Sequence, residues 1–512
     1  MLLLLTFLPL LGAVTIALTP ASAVSMQRNL ALFWTLLVAG MGLAVFTGFD
    51  GALDTVQREA NHDWFSLPGT GIDVHLRLGV DGLSILMAVF TAVLMPFVVL
   101  CSKGHVTERV KEFLVWLLVM QTGMLGVFLA LDLVLFYFFW EVSLVPLYFI
   151  VGIWGGEERL YATLKFFLYT LAGSLVMLVG LLFLLYGAGT SDFHALLDYT
   201  AELPLATQGW IFGSFALAFA IKVPVLPFHT WLADAHTQAP TSGSVLLAGV
   251  LLKMGTYGLL RFGIQLFPAA AVEWGWIFMA LGAIGIVYGA LLAMAQTDLK
   301  RLIACSSVSH LGFVVLGMFA LTQAGLRGGI LQMVNHGLST GLLFLLVGMV
   351  YERRHSRRID HYGGLASTMP LFAIFFVFTV LSSVGLPGLN GFVGEYMILF
   401  GAFEAAPFWA VIGTTGVILG AIYLLSATRR VLFGAVVHEE NRKLGDLKAG
   451  EMMILAPLCA LCVWIGVRPA PFLSTMDGSV DALVQRIEEA REGLAVSQAD
   501  APAGVVAPLE DR

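Results

Sequence analysis

Six ionisable side chains lie in stretches that are otherwise apolar and long enough to cross a membrane: Glu141, Lys222, Lys253, His310, His336 and Glu395. A charge at the centre of a bilayer costs at least about 2.5–3.5 kcal/mol on insertion scales. Polar contacts between membrane helices are worth only about 0.6 kcal/mol on average. Static pairs that hold helices together are therefore the weaker interpretation, and a functional role is favoured.

Proton transfer is the chemistry that these residue types suit. An ammonium group away from water is destabilised, and a nearby carboxylate stabilises it. A lysine whose carboxylate partner moves can therefore bind and release a proton near neutral pH. Histidine titrates in that range and can pass a proton between its two ring nitrogens. The six residues are thus predicted to form a buried proton path.

Two further histidines are secondary candidates for this path. His229 and His236 follow Lys222 at successive intervals of seven residues, which keeps to one face of an unbroken helix. Prolines in this stretch disturb that register. Either histidine could carry protons from the cytoplasm to Lys222, and a plain role at a helix end is an equally open alternative.

The composition identifies the environment of these residues. Hydrophobic residues make up 59% of the 512-residue chain and charged residues 12%, whereas soluble domains have about 25% charged residues. The chain is therefore predicted to be a membrane protein with many spans. Its net charge of −7 comes without any long basic run, so nothing in it indicates nucleic-acid binding.

Fourteen membrane-spanning helices are predicted, since each span needs about 20 largely apolar residues. They fall near residues 1–19, 30–48, 80–101, 113–131, 133–153, 163–187, 209–235, 243–264, 274–295, 302–321, 327–351, 370–402, 408–433 and 451–468. The predicted fold class is an all-α polytopic membrane protein. Ala21-Ser22-Ala23 resembles a signal-peptidase site, but the first 27 residues contain no Lys or Arg. A retained first span is therefore favoured over a cleaved signal peptide.

Basic residues in the loops predict the orientation of the bundle. Seventeen Lys and Arg, Lys300 among them, fall on one side, and eight, Arg261 among them, fall on the side that carries both termini. Because basic loops stay in the cytoplasm, both termini are expected on the outer side of a bacterial inner membrane. Only two basic residues, Lys222 and Lys253, are left unexplained by this topology.

Two spans are predicted to be discontinuous. Pro224 and Pro227 follow Lys222 in the seventh span, and GLPGLNG at 385–391 precedes Glu395 in the twelfth. Proline and glycine free backbone groups there, which is tolerated only against protein or a wet cavity. Broken helices beside charges at the membrane centre are typical of transporters with inverted repeats.

Spans 4–8 and 9–13 are the predicted repeats. In that alignment Glu141 corresponds to His310 and Lys222 to Glu395, and the two residues of each copy are 81 and 85 positions apart. The chain then divides into three N-terminal helices, the first repeat, the second repeat, and a last helix with a polar tail, at residues 1–111, 112–265, 272–434 and 451–512.

No cofactor or metal site is predicted in this chain. Cys459 and Cys462 form a C-x-x-C, but they lie within an apolar span without a second Cys or His pair. The glycine run at 388–394 has the wrong spacing for a nucleotide-binding loop and follows a membrane helix instead of a strand. The sequence carries no P-loop, flavin, haem or iron–sulfur signature.

Three stretches resemble the antiporter-like subunits of respiratory complex I. They are FFWEVSLVPLYFIVGIWGG at 138–156, IKVPVLPFHTWLADAHTQAPTSGSVLLAGVLLKMGTYGLLR at 221–261, and QTDLKRLIACSSVSHLGF at 296–313. The resemblance extends over spans 4–13 in order. It implies a core of about fourteen transmembrane helices with two inverted five-helix repeats, and proton translocation driven by electron transfer in partner subunits. NAD, FMN, iron–sulfur clusters and quinone would belong to those partners.

The resemblance also implies roles for individual residues. Glu141 and Lys222 would form a switching pair, and Lys253 would be the central relay. The path would continue outward through His310, His336 and Glu395. Glu395 matches the M-type members of the family, whereas L-type and N-type members, the expected neighbours, have Lys there. A subunit of a cation/proton antiporter is the alternative function, and Glu395 argues against it.

Overall fold

The computed structural model of the protein describes residues 1–499, which form helices almost throughout and one pair of strands. The elements up to the second repeat are α1 (Leu2–Ala17), α2 (Val24–Thr47), β1 (Gln57–Leu67), β2 (Ile72–Val80), α3 (Ile85–His105), α4 (Val110–Leu129), α5 (Leu133–Trp154), α6 (Arg159–Ala188), α7 (Phe193–Glu202), α8 (Leu205–Lys222), α9 (Thr230–Gln238), α10 (Thr241–Leu246) and α11 (Leu252–Gly258). The remaining α-helices are α12 (Pro268–Met294), α13 (Leu299–Phe319), α14 (Gln323–Arg354), α15 (Leu365–Thr368), α16 (Pro370–Ser383), α17 (Asn390–Ala405), α18 (Pro407–Leu432), α19 (Glu439–Arg442), α20 (Ala449–Val467), α21 (Ala470–Leu473) and α22 (Asp477–Ala499).

Twelve helices of the described chain are long and apolar enough to cross a membrane, and each matches a predicted span. The two other predicted spans contain shorter helices. The first is α1, with 16 residues, and the twelfth is divided into α16 and α17, with 14 and 16 residues. The predicted all-α polytopic class is confirmed, and the count of fourteen spans stays a prediction.

Both predicted helix breaks are confirmed. Helix α8 ends at Lys222 and α9 begins at Thr230, while α16 ends at Ser383 and α17 begins at Asn390. In the second break Gly385 has a φ of +77°, a left-handed conformation that glycine adopts without a Cβ clash. The breaks therefore occur where proline and glycine interrupt the apolar run.

The helical run Thr241–Ile264 changes its winding twice. Two π-helical turns, Leu247–Leu251 and Leu259–Ile264, lie on either side of α11. A π turn adds a residue per hydrogen-bonded ring and often marks a functional position in a helix. Lys253 lies between the two turns, inside a run that is completely surrounded by other helices.

The β-hairpin and helix α22 are among the elements outside the membrane spans that were not predicted. Strands β1 and β2 form an antiparallel hairpin, which is bonded to the chain just after α4, where the Leu131 amide donates to the Arg77 carbonyl at 2.9 Å. Helix α22 occupies most of the predicted polar tail and is joined to this region, because the Gly82 amide donates to Ser479 Oγ at 2.9 Å and the Gly478 amide to the Gly51 carbonyl at 2.9 Å. The end of the predicted tail, 500–512, lies outside the described residues.

Candidate proton path

Lys253 and His336 are in direct contact at the centre of the bundle. Lys253 is completely buried on α11, and its Nζ lies 2.5 Å from His336 Nδ1 on α14. The ammonium also donates to the carbonyl of Ala248 in the preceding π turn. When Lys253 is in its ammonium form, which only donates, His336 Nδ1 is the acceptor and the ring carries its proton on Nε2. The pair is therefore arranged for transfer from Lys253 to His336.

His336 leads to His310 on the neighbouring helix α13. The two ring centroids are 5.6 Å apart and the rings are tilted by 50°. His336 Nε2 is buried without a hydrogen-bond partner among the described residues. Buried polar atoms are rarely left unpaired, so this nitrogen is the open end from which a proton can continue toward His310.

The next residue in the series is Glu395, which lies on α17 just after the break between α16 and α17. Its Oε1 lies 3.2 Å from His310 Nδ1 and 3.2 Å from Gln332 Nε2. Tyr423 OH lies 3.4 Å from the other ring nitrogen of His310. Four of the six sequence-predicted residues therefore form one buried series, which runs Lys253, His336, His310, Glu395.

Of the other two predicted residues, Lys222 is buried at the end of α8, whereas Glu141 on α5 is partly exposed. No ion pair within 4.0 Å joins them in the described structure. Lys222 Nζ instead lies 5.1 Å from the centroid of the Trp140 ring, a cation–π contact. Glu141 Oε1 is buried without a hydrogen-bond partner among residues 1–499. The two residues expected to form the switching pair are therefore not paired in this structure.

Of the two secondary histidines, His229 is the last residue of the first break and His236 lies on α9, and in the described structure neither has a hydrogen bond to Lys222. His229 borders a cavity of about 200 Å³ that is also lined by Lys165, Asp234 and Arg301. Its Nδ1 has no partner among the described residues. His236 is buried and stacks on Phe344 with ring centroids 4.6 Å apart, and neither of its ring nitrogens has a partner in the described part of the chain. Neither is placed in the contact series.

Comparison with known proteins decides the family. Residues 130–420 match the family model described as "NADH:quinone oxidoreductase/Mrp antiporter, TM". The chain is 44% identical to NADH-quinone oxidoreductase subunit M of Rhodobacter capsulatus, over 94% of this chain and 95% of that protein. It is 40% identical to NADH-ubiquinone oxidoreductase chain 4 of Marchantia polymorpha, over 94% and 96%. The chain belongs to the subunit M family. The predicted resemblance to complex I subunits is thereby confirmed.

Solved structures carry the same fold as this subunit M family member. A chain of respiratory complex I from Thermus thermophilus with bound NADH superposes with a TM-score of 0.84 at 32% identity, covering 94% of this chain and 100% of that chain. A chain of the Mrp complex from Dietzia sp. DQ12-45-1b gives a TM-score of 0.83 at 20% identity, covering 96% and 98%. The second likeness shows a shared fold alone.

The structure corrects the count of buried basic residues. Arg261, which the sequence argument assigned to a loop, is 2% exposed and forms a 2.5 Å ion pair with Asp81. Lys300 is 8% exposed, and its Nζ donates to the Ala239 carbonyl at 2.5 Å. Two basic residues that the topology argument assigned to loops are therefore buried as well, because helices α13 and Thr241–Ile264 carry their terminal charges into the bundle.

Gln332 and Tyr423 also contact the series and were not predicted. Both are uncharged, so a search for intramembrane charges does not find them. The signal available in the sequence was that the polar residues Asn335 and His336 follow Gln332 by three and four positions on one apolar helix, which places them on the same face.

Within residues 1–499 there is no group of three or more His, Cys, Asp or Glu that could hold a metal ion.

Proposed function

We propose that this chain translocates protons as a membrane subunit of NADH:quinone oxidoreductase, along a buried Glu/Lys/His axis. The observation that carries the proposal is the contact series from Lys253 through His336 and His310 to Glu395, in a chain of the subunit M family. Each member can bind a proton. Lys253 contacts His336 and His310 contacts Glu395 directly, and the two rings lie 5.6 Å apart between their centroids.

The proton moves along the series in three steps. The Lys253 ammonium gives a proton to His336 Nδ1, and the resulting imidazolium releases the proton on Nε2. A ring rotation or one bridging water carries that proton across the 5.6 Å between the ring centroids to His310. His310 Nδ1 then passes a proton to Glu395 Oε1 at 3.2 Å. Lys253 ends neutral, both rings return to neutrality, and Glu395 ends protonated.

Glu141 and Lys222 supply the series with protons from the first repeat. In the unpaired arrangement Lys222 lies on the face of Trp140. Closure onto Glu141 stabilises the ammonium form, and opening favours release of its proton toward Lys253. Moving one charge against ~100 mV takes about 2.3 kcal/mol. Electron transfer in partner subunits, which hold NAD, FMN, iron–sulfur clusters and quinone, supplies that energy.

The arrangement in the membrane follows the predicted topology. Residues 112–265 and 272–434 are the two inverted repeats, and L-type and N-type subunits are the neighbours. The loop charges keep a bias of more than two to one after Arg261 and Lys300 are removed from the count. We therefore place both termini on the outer side of a bacterial inner membrane. His229 beside its cavity and buried His236 are secondary intake residues on the cytoplasmic side.

A subunit of a cation/proton antiporter is not favoured. The family model spans both classes, but the full-length identity of 44% is to a subunit M. The Mrp likeness, at 20% identity, extends to the fold only. Glu395 is also the residue type expected of the M-type branch.

Neutral replacement of the switching pair tests the proposal. Glu141→Gln and Lys222→Met remove a charge at nearly constant volume, and each is expected to cut the number of protons pumped per NADH sharply. The measurement is acidification of vesicles that hold the assembled complex. Glu440→Gln, a replacement of an exposed acid, is the matched control and should leave pumping unchanged. Normal pumping in an assembled Glu141→Gln complex would contradict the proposal.

A further inference from the structure

We propose that Gln332 is a positioning residue that directs the proton on Glu395 to the Oε2 side of the carboxyl group, toward the break between α16 and α17. The inference deepens the proposed function and rests on it. It concerns an uncharged residue that carries no proton itself but determines where Glu395 holds one.

The orientation of the Asn335 side chain is fixed by its partners. Its Nδ2 lies 2.8 Å from the backbone carbonyl of Asn390 and 3.2 Å from Gln332 Oε1. A carbonyl oxygen can only accept, so the amide group that faces Asn390 must be the NH₂. In return, Asn390 Nδ2 donates to the backbone carbonyl of Asn335 at 3.2 Å. These reciprocal bonds join the start of α17 to α14.

The orientation of Gln332 follows from that of Asn335. Because Asn335 uses its second hydrogen on Gln332 Oε1, the Gln332 oxygen points away from Glu395 and its NH₂ points toward it. Gln332 Nε2 accordingly lies 3.2 Å from Glu395 Oε1. All three side chains are buried, so bulk water does not compete for these bonds. Gln332 therefore presents a donor, and never an acceptor, to Glu395.

Glu395 Oε1 thus has two donors, His310 Nδ1 and Gln332 Nε2. When the proton is transferred, the N–H bond of His310 breaks, an O–H bond forms at Oε1, and the carboxylate becomes neutral. A carbonyl oxygen accepts a hydrogen bond better than a hydroxyl oxygen does. A fixed donor at Oε1 therefore favours the acid with its C=O at that position, and rotation of the carboxyl group places the O–H at the Oε2 position.

The Oε2 position faces the helix break. A Cβ built on Gly385 would lie 2.9 Å from Glu395 Oε2, so only the missing side chain leaves room there. A proton at Oε2 is turned away from His310, which disfavours its return. Gln332 therefore makes transfer through Glu395 directional, from His310 at one oxygen to the break between α16 and α17 at the other.

Infrared difference spectra of the NADH-reduced intact complex test this role. The C=O stretch of protonated Glu395 is the band that disappears in Glu395→Gln. Gln332→Met removes the donor at similar volume, and loss of a hydrogen bond raises a C=O stretching frequency. The band should therefore move to higher frequency, and pumping should slow by roughly tenfold or more, as expected for loss of one hydrogen bond to a charged group. Asn335→Leu, which releases Gln332 without touching Glu395, should shift the same band.

Gln121→Met is the matched control. Gln121 is a buried glutamine on α4 whose amide atoms have no partner among the described residues, so its replacement should leave the band and the pumping rate unchanged. An unshifted band in Gln332→Met, the same shift in Gln121→Met, or no band that depends on Glu395 would overturn the positioning role. Normal pumping in Glu395→Gln would instead overturn the proposed path itself, so the two failures are distinguishable.

Discussion

Replacing Arg261 by methionine removes the least exposed ion pair outside the proton path in the described structure. The guanidinium group donates to Asp81 Oδ1 at 2.5 Å, to Gln265 Oε1 at 2.9 Å, and to Tyr257 OH at 3.1 Å. These bonds join the π turn that follows α11 to the start of α3. The variant leaves the Asp81 carboxylate buried without its cation, at 6% side-chain exposure.

The expected loss of unfolding free energy follows from what remains around Asp81. Removing one partner of a buried pair costs about 3–5 kcal/mol. Asp81 Oδ1 keeps the backbone amides of Leu83 and Ser84, at 3.1 and 3.2 Å, and these partly stabilise the stranded charge. The cost should therefore lie at the lower end, about 3 kcal/mol. Asp81→Asn in the Arg261→Met background removes that charge and should recover about 2 kcal/mol.

The assay is reversible unfolding in mixed detergent–lipid micelles of the unmodified protein, Arg261→Met, Asp81→Asn and the double variant. Arg491→Met is the control, because Arg491 pairs with Glu488 on the exposed face of α22 and such pairs contribute ~0–1 kcal/mol. A cost below ~1 kcal/mol for Arg261→Met, or a double variant less stable than the single one, would refute the reasoning that the stranded carboxylate dominates.

Three other changes have definite expected outcomes. Trp140→Leu removes the aromatic face under Lys222, worth about 2 kcal/mol when desolvated, and should slow proton pumping in vesicles, whereas Trp140→Phe should retain most of it. Burial lowers the pKa of His194 in the folded protein. The stability that the neutral ring contributes is therefore present above the ordinary pKa of histidine and is lost as the pH falls through the lowered folded-state pKa. His194→Gln should reduce this loss of stability at acidic pH, measured by unfolding between about pH 5 and 7. Gly385→Ala combines a φ of +77° with a Cβ 2.9 Å from Glu395 Oε2, and should cost about 1–3 kcal/mol of stability and reduce pumping in the same vesicle assay.

The membrane-spanning part of the fold was predictable because hydropathy and length suffice to identify a span. The breaks were predictable because Pro224, Pro227 and the GLPGLNG stretch interrupt apolar runs. The π turns around Lys253 were not, since they arise from packing inside the bundle and no residue type specifies them. Seven of the eleven residues of strand β1, QREANHDWFSL, are polar and they do not alternate with apolar ones, so the pattern that identifies a half-buried strand is missing.

Helix α22 had a signal in the sequence that the argument from charge did not use. Val480, Leu483 and Ile487 are buried and recur at intervals of three and four residues, the pattern of an amphipathic helix. Treating the C-terminal region as an acidic tail concealed this pattern. The existence of helix α22 could therefore have been predicted from the sequence, whereas its hydrogen bonds to Gly82 and Gly51 could not.

The residue types of the site were predictable, and their contacts were only partly so. The cost of a charge in a bilayer identified Lys253 and Glu395, but Lys253 meets a histidine 83 residues away and Glu395 one 85 residues away. Such contacts depend on how distant helices pack. Gln332 escaped because an amide carries no charge. The separation of Glu141 and Lys222 could not be inferred from their residue types, because a Glu and a Lys are compatible with both a paired and a separated arrangement.

Lys253→Met interrupts the contact series at its first member while preserving side-chain length. The decisive quantity is the number of protons pumped per NADH oxidised by the assembled complex in sealed vesicles, with Lys443→Met, at an exposed lysine, measured in parallel. We predict that Lys253→Met lowers this ratio or stops turnover, and that Lys443→Met does neither. An assembled Lys253→Met complex with unchanged ratio and turnover would contradict a proton path through Lys253, His336, His310 and Glu395.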